Sequence, residues 1–432
     1  MSIKHNNNIA SCEKSPNNNI LLKNTLAEPQ ILQREYPILF TYDTVYEYSN
    51  ITMASRWDHY KLSKKEIHWA GIIISNLIIF ILSILIIIIL TKNIKNDIDN
   101  YNYQIINVED IIDHNGWKQI SGDVFRPPRI NRMLLCSIIG TGSQLTLMLS
   151  IVLLLGVFGF MNPEKRSNIL NLGILLFCLM GLPGGFIGAY FYKINGGKNW
   201  LKMSLLTAIF FPGTLFFGYI IIDIILLIEK SNAAVRFLDI ISLFCLWIFC
   251  TLPLILIGSF LGIKSKKLNM PCKVNAVPTI MPHKPWYLHY RYLFLLTGLI
   301  IFVTIFFELT FVMGALWKQQ IYYIATFLWI SFYFFIFVSG EISVIVVYWN
   351  LCWGDYNWWW KSFLIGASPI FYFVGYSVYY FFNLGITRIS SMIVYFGIMG
   401  LISVIALFVG GSIAVIVTFS FIRRIYSEIK ID

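Results

Sequence analysis

The sequence predicts an all-α polytopic membrane protein with nine transmembrane helices, and three observations carry that prediction. Of its 432 residues, 57% are hydrophobic and only 13% charged, with a mean hydropathy of +0.69. A soluble chain of this length needs more polar surface than that to face water. Apolar runs of about 20 residues, the length that spans a bilayer core, recur along the chain. Lys, Arg, Asn or Glu residues break the sequence between most of those runs and so set their count. Lipid cannot hydrogen-bond exposed backbone groups, so each run is read as a helix.

Residues 1–35 are Asn-rich and too polar to order themselves, and residues 1–30 contain no apolar signal-peptide core. Residues 36–67 come next. Within them YPILFTYDTVYEYS (36–49) alternates like a strand but finds no partner strand in this chain, so it reads as the remnant of a further domain. Asn50-Ile51-Thr52 is a glycosylation tripeptide, meaningful on a lumenal side. The membrane domain occupies 68–421. Its spans fall at 68–91, 133–161, 169–192, 203–228, 237–263, 292–316, 321–349, 360–383 and 389–421. Arg423 and Arg424 stop the ninth span, and the tail 422–432 ends in Lys430-Ile431-Asp432.

The net charge is +11. Loops after the first, third, fifth and seventh spans and the C-terminal tail, counted with Lys361 at the start of the eighth span, carry 19 Lys/Arg against six in the other four loops. The positive-inside rule then places the C-terminus in the cytosol and the N-terminus in the lumen. Arg56, Lys61, Lys64 and Lys65, which flank the first span on its outer side, run against this and are outvoted. The basic residues form a solvated face near membrane lipid, not a nucleic-acid surface. The seven cysteines contain no CxxC, no histidine lies well inside a span, and no HExxH occurs. No metal, cofactor or catalytic set is indicated, and the chain is read as a non-enzyme.

Three acids fall inside apolar runs: Asp223 in the fourth span, Glu308 in the sixth and Glu341 in the seventh. None has a basic residue within its own span. Glu341 lies about eight residues, roughly 12 Å, from the predicted cytosolic end of its span. Glu308 lies about as far from the lumenal end, so the two approach the midplane from opposite sides, roughly 6–10 Å apart in depth. A charge at such depth costs on the order of 2–3 kcal/mol. Each acid serves as hydrogen-bonded glue between helices or lines a water-filled path, and three without counter-charges tilt the reading to the path.

The tryptophans at 349, 353, 358, 359 and 360 straddle the end of the seventh span and the start of the eighth. They read as an interfacial belt, with Asp355 outside the hydrocarbon. LMGLPGGFIGAY (179–190) sets Gly181, Gly184, Gly185 and Gly188 on one small-residue stretch. Such a face packs inside the bundle or stays open sideways to receive a client's transmembrane helix. Pro183, Pro212, Pro253 and Pro369 can kink their spans. SGDVFRPPR (121–129) reads as an extended, rigid segment that docks loops or lipid headgroups.

Taken in order, ASRWDHY (54–60), DIDNYN (97–102), GWKQISGDVFRPPR (116–129), GKNW (197–200), TAIFFPGTLF (207–216), PLILIGSFLG (253–262), MPCKVNAVPTIMPHKPWY (270–287), FFELTFVM (306–313), SGEISVIVVYWNLCWGDYNWWWKSF (339–363) and the terminal KID carry a resemblance. Residues 36–432 are similar to the transmembrane-9 superfamily, the nonaspanins, except that Ser121 stands where the family has a histidine. The resemblance implies a Golgi and endosomal protein that sorts membrane proteins with glycine-rich transmembrane segments, with links to adhesion and phagocytosis. It implies a large lumenal domain, of which only the strand-like end is visible in this sequence. It also implies that Lys430 and Asp432 form a KxD signal bound by coatomer. The alternative is a proton- or ion-coupled transporter or channel using the three acids. A lateral groove open to lipid favours sorting, and an enclosed aqueous cavity holding the acids favours transport.

Overall fold

Every predicted apolar run is predominantly helical over its described residues in the computed structural model, which describes residues 12–14, 20–22, 48, 69–106, 117–118, 120–158, 166–229, 237–266, 268–281, 289–317 and 324–428. The chain falls into two units, Met1–Leu62 and Ser63–Asp432. In the first, β1 (Cys12–Lys14) and β2 (Ile20–Leu22) pair antiparallel, with Cys12 opposite Leu22. These six residues lie inside the stretch expected to lack order. The strand-like reading of 36–49 falls outside the described residues apart from Tyr48, which is exposed and in no regular element.

The second unit is the bundle. Its first span is carried by α1 (Trp69–Ile106), the second by α2 (Arg132–Val157), and the third by α3 (Arg166–Leu179) and α4 (Gly181–Ile194). The fourth is α5 (Trp200–Ile228), and the fifth joins α6 (Phe237–Leu246) to α7 (Leu252–Lys264). The sixth is α8 (Tyr290–Thr304) with α9 (Phe306–Trp317), the seventh α10 (Ile324–Cys352). The eighth joins α11 (Trp358–Ala367) to α12 (Ile370–Leu384), and the ninth is α13 (Ile389–Glu428).

Two departures from straight helices have local causes. Between α6 and α7 the turn Trp247–Thr251 is a π-helix. Pro253 follows it, and a proline ring clashes with the carbonyl four residues back, which favours a widened turn. The sixth span, expected as one helix over 292–316, breaks at Ile305, and its halves are bent by 62°. Val303, Thr304 and Ile305 are consecutive β-branched residues with poor helix propensity. The Thr304 hydroxyl also donates to the Ile301 carbonyl at 2.7 Å, a back-bond that competes with the helical ladder.

Eight helices of the described residues are long and apolar enough to cross a membrane, and the bent pair makes nine if it crosses as one span. Loop bonding shows that it does. The Thr279 hydroxyl, after the fifth span, donates to Asp123, and the Trp358 indole, after the seventh, donates to the Val124 carbonyl. Both loops therefore sit at the same end of the bundle, which requires an even number of crossings between them. The bent pair and α10 supply two.

Glycines let the central helices touch backbone to backbone. Gly181, Gly184, Gly185 and Gly188 are all buried. A Cβ on Gly184 would stand 2.9 Å from the Gly140 carbonyl, and one on Gly188 would stand 3.1 Å from that of Cys136, both on α2. On the other flank, Gly185 meets the Ile255 backbone, and Gly258 of α7 meets Leu182. The face is closed by α2 and α7. The reading in which it stays open sideways to a client helix is corrected on that ground. Elsewhere polar glue joins helices, with Ser343 bonded to Ser362 and Thr418 at 2.8 Å each, linking α10, α11 and α13.

Candidate functional site

The intramembrane acids separate into a pair and a single residue. Glu308 stands in the first turn of α9, just past the break, and is 1% exposed. Neither of its carboxylate oxygens has a hydrogen-bond partner. Ser75 of α1 faces it, yet the two do not close a hydrogen bond. Glu341, half-buried on α10, does close one: Ser83 Oγ lies 3.1 Å from its Oε2. The same hydroxyl lies 2.9 Å from the Ile79 carbonyl, and its single proton serves only one of the two acceptors at a time.

Helix α1 packs on both α9 and α10, and its serines are eight residues apart, about 12 Å along one helix face. The first span thus presents one hydroxyl to each acid. The serines escaped the sequence reading, although two hydroxyls at two-turn spacing in an Ile/Leu run were the available signal. Asp223 is buried on α5, which packs chiefly on α2, α4, α7 and α13, away from this pair. The sequence expected three acids along one path, but the fold brings only two near a common helix.

Beside the broken span lies a partly open cavity of about 250 Å³, with walls that include Leu309, Leu316, Phe335, Tyr376, Ile402 and Ala406. Its rim carries the exposed Leu316 and Ile402. None of the three acids lines it.

At the opposite end, the tryptophan stretch does something other than float in headgroups. Trp358 and Trp359 are 0% and 2% exposed, and the three consecutive indoles donate to the carbonyls of Val124, Arg126 and Ile130 at 2.9, 3.0 and 2.8 Å. The belt expected at 349–360 is corrected for these three. Only Trp349 and Trp353, at 43% and 40% exposure, keep the half-exposed placement of interfacial anchors. Asp355 is buried and paired with Lys361, and it accepts the Asn357 N–H at 3.0 Å.

The SGDVFRPPR segment is what the indoles hold. Asp123, buried within it, accepts from Arg126 Nε at 3.0 Å and from the Thr279 N–H and hydroxyl at 3.0 and 2.9 Å. Burial pushes its pKa up, but the Arg126 and Thr279 hydrogen bonds outweigh that and hold the carboxyl below its ordinary value. The Asn275 N–H donates to the Gly122 carbonyl at 2.8 Å, and Arg129 to the Tyr356 hydroxyl at 2.6 Å. Tyr426, near the end of α13, donates to the Trp117 carbonyl at 2.6 Å. Loops after the first, fifth and seventh spans and the end of the ninth thus form one polar cap. Of the two dockings weighed for SGDVFRPPR, the loops are its partners.

Among the described residues no group of three or more His, Cys, Asp or Glu is placed to hold a metal ion. Lys430 and Asp432 lie outside the described residues.

Fold and cap together define a multi-pass α-helical membrane protein whose polar work is done at one end and around one broken span. The chain matches the family described as Endomembrane protein 70 over residues 1–390. It is 36% identical over 406 residues to Transmembrane 9 superfamily member 10 of Arabidopsis thaliana, covering 94% of this chain and 63% of that one. It is 34% identical over 416 residues to Transmembrane 9 superfamily member 4 of Homo sapiens, covering 95% and 64%. Member 2 of Rattus norvegicus is 34% identical over 402 residues, covering 92% and 60%. No solved structure matches. The chain belongs to the transmembrane-9 superfamily. It spans under two thirds of the length of these curated relatives.

Proposed function

We propose that the chain acts in sorting membrane proteins within Golgi and endosomal membranes, engaging clients with glycine-rich transmembrane segments through its lipid-facing helices. The observation that carries this reading is the placement of the acids outside the cavity. A transport path needs water around its titrating groups, whereas the cavity beside the broken span is lined almost wholly by apolar side chains and by none of the three acids. The family description as an endomembrane protein supports the location. The fifth span offers a client-sized surface, since only 11% of its most apolar window is buried and Phe237 and Phe249 are 75% and 76% exposed. In this reading the polar cap is cytosolic, the N-terminus lumenal, and Lys430 and Asp432 bind coatomer.

The test is a photocrosslinker at Phe249, with a matched one at the buried Val338, in cells expressing two reporters. One reporter carries a glycine-rich transmembrane segment, and in the other those glycines are leucine. Capture of the glycine-rich reporter alone, at Phe249 alone, is expected. Equal capture of both reporters contradicts the reading.

A second reading, proton-coupled transport, is favoured by one observation: Glu308 is buried, unpartnered and placed at the start of a half-helix inside the membrane domain. A proton flux in proteoliposomes that disappears in Glu308→Gln supports it over sorting.

A further inference from the structure

The loop after the third span gathers the ends of four helices. Lys193, in the last turn of α4, donates to the carbonyls of Ile263 and Ser265 at 2.6 Å each and so holds the end of α7. Arg132, which opens α2, donates to the Asn195 carbonyl at 3.3 Å. The Trp200 ring, at the start of α5, stands 6.2 Å from that of Phe260 on α7. These contacts bring four further lysines to one rim. Lys198 and Lys202 lie two residues either side of Trp200, while Lys264 and Lys266 flank Ser265. All four are exposed, as is Arg132.

The chain supplies little to neutralise this rim. No Asp or Glu occurs over 166–222 or 240–307. Asp223, the first acid beyond Lys202 on α5, stands about 30 Å farther along that helix. Asp123, the acid before Arg132 in sequence, is buried and already accepts from Arg126 and Thr279. Like charges held together repel unless a counter-charge offsets them. The depth of the rim says what kind of anion that is. α5 begins and α7 ends here, and the two helices pack on one another. Below the lysines their exposed faces are apolar, with Leu201 and Leu205 on α5 and Ile257 and Leu261 on α7. A charged rim over an apolar face matches a headgroup over acyl chains.

We propose that this rim is a binding site for a phospholipid whose headgroup carries a phosphomonoester, held by Lys198, Lys202, Lys264 and Lys266 with its chains along α5 and α7. A phosphomonoester brings a charge of about −1.5 to −2 at neutral pH, which answers several cations where a singly charged headgroup leaves most of them unmatched. A soluble acidic peptide leaves the apolar faces unused. The site stands independently of whether the chain sorts clients.

The experiment uses the full chain in phosphatidylcholine nanodiscs containing either a phosphatidylinositol monophosphate or phosphatidylserine with the same acyl chains. Native mass spectrometry after transfer to detergent reads the ratio of lipid-bound to lipid-free chain. The monophosphate is expected to be retained at least tenfold better than phosphatidylserine. Lys198→Gln, Lys202→Gln, Lys264→Gln and Lys266→Gln combined should lower that retention at least tenfold, and Lys198→Gln with Lys266→Gln alone about threefold. The matched control is Lys92→Gln, Lys95→Gln, Lys273→Gln and Arg423→Gln combined, which removes the same charge from exposed positions after the first and fifth spans and at the end of the ninth. It should lower retention less than twofold. Equal losses in the two quadruple variants make the effect one of overall charge and overturn the proposal. So does equal retention of phosphatidylserine, or displacement of the lipid by equimolar free inositol bisphosphate or polyglutamate.

Discussion

Two sets of tryptophans in this chain meet opposite fates. At the polar cap, Trp358, Trp359 and Trp360 are adjacent in sequence and every indole N–H reaches a carbonyl of the 124–130 segment. At the other end, Trp317 and Trp329 bury theirs against nothing. The same side chain is a structural peg in one place and an unfilled donor in the other.

The largest effect that sharpens this contrast lies in the cap. Asp123→Ala removes the carboxylate that accepts from the half-buried Arg126 and from Thr279, and loss of such charge-assisted hydrogen bonds costs roughly 1.5–3 kcal/mol. Thermal unfolding in detergent should show that loss. The same carboxyl makes the cap acid-sensitive. Its folded pKa lies below the ordinary value, so its contribution is complete above about pH 4 and disappears as pH falls through the folded value. Asp123→Asn should remove that acid limb from a stability profile, and an unchanged limb assigns it elsewhere.

Next come the glycines. Gly258→Ala drives a methyl into the Leu182 backbone, an overpacking of roughly 1–3 kcal/mol. Gly375→Ala, with nothing near its Cβ position, should be tolerated when both are read by the same unfolding assay. The tryptophan comparison is smaller and more direct. Trp358→Phe strands the Val124 carbonyl and costs roughly 1–3 kcal/mol. Trp317→Phe removes a donor that was already unpaired, and in lipid-free detergent its midpoint should not fall by more than that of Trp349→Phe, a half-exposed control. Equal losses at 317 and 358 erase the distinction. The smallest effect is expected from Glu308→Gln with Glu341→Gln. If sorting is the activity, delivery of the glycine-rich reporter proceeds unchanged, and a block in delivery shifts the account to the acids.

Sequence reading captured the bundle because span length and hydropathy are local properties, imposed by bilayer thickness on each helix alone. The break at Ile305 was missed because hydropathy ignores β-branching, and Val303-Thr304-Ile305 is apolar enough to pass. Asp223, Glu308 and Glu341 were found as anomalies of composition. Their grouping was not, since which helices adjoin is a property of tertiary packing. Trp358–Trp360 were assigned to the interface on residue type. Their actual acceptors lie more than two hundred residues upstream, in a segment whose partner no spacing rule identifies. The glycine stretch was recognised as a close-packing face, and only the structure shows that α2 and α7 already occupy it.

The claim beneath all of this is that nine crossings separate a bonded cap from an open end. Single cysteines at Ile280, which is 96% exposed after the fifth span, and at Gly385, exposed after the eighth, test it in a chain otherwise free of cysteine. In sealed vesicles of known orientation, a membrane-impermeant maleimide should label one position from outside and the other only after permeabilisation. Labelling of both from the same side contradicts the account, because the bent sixth span then does not cross.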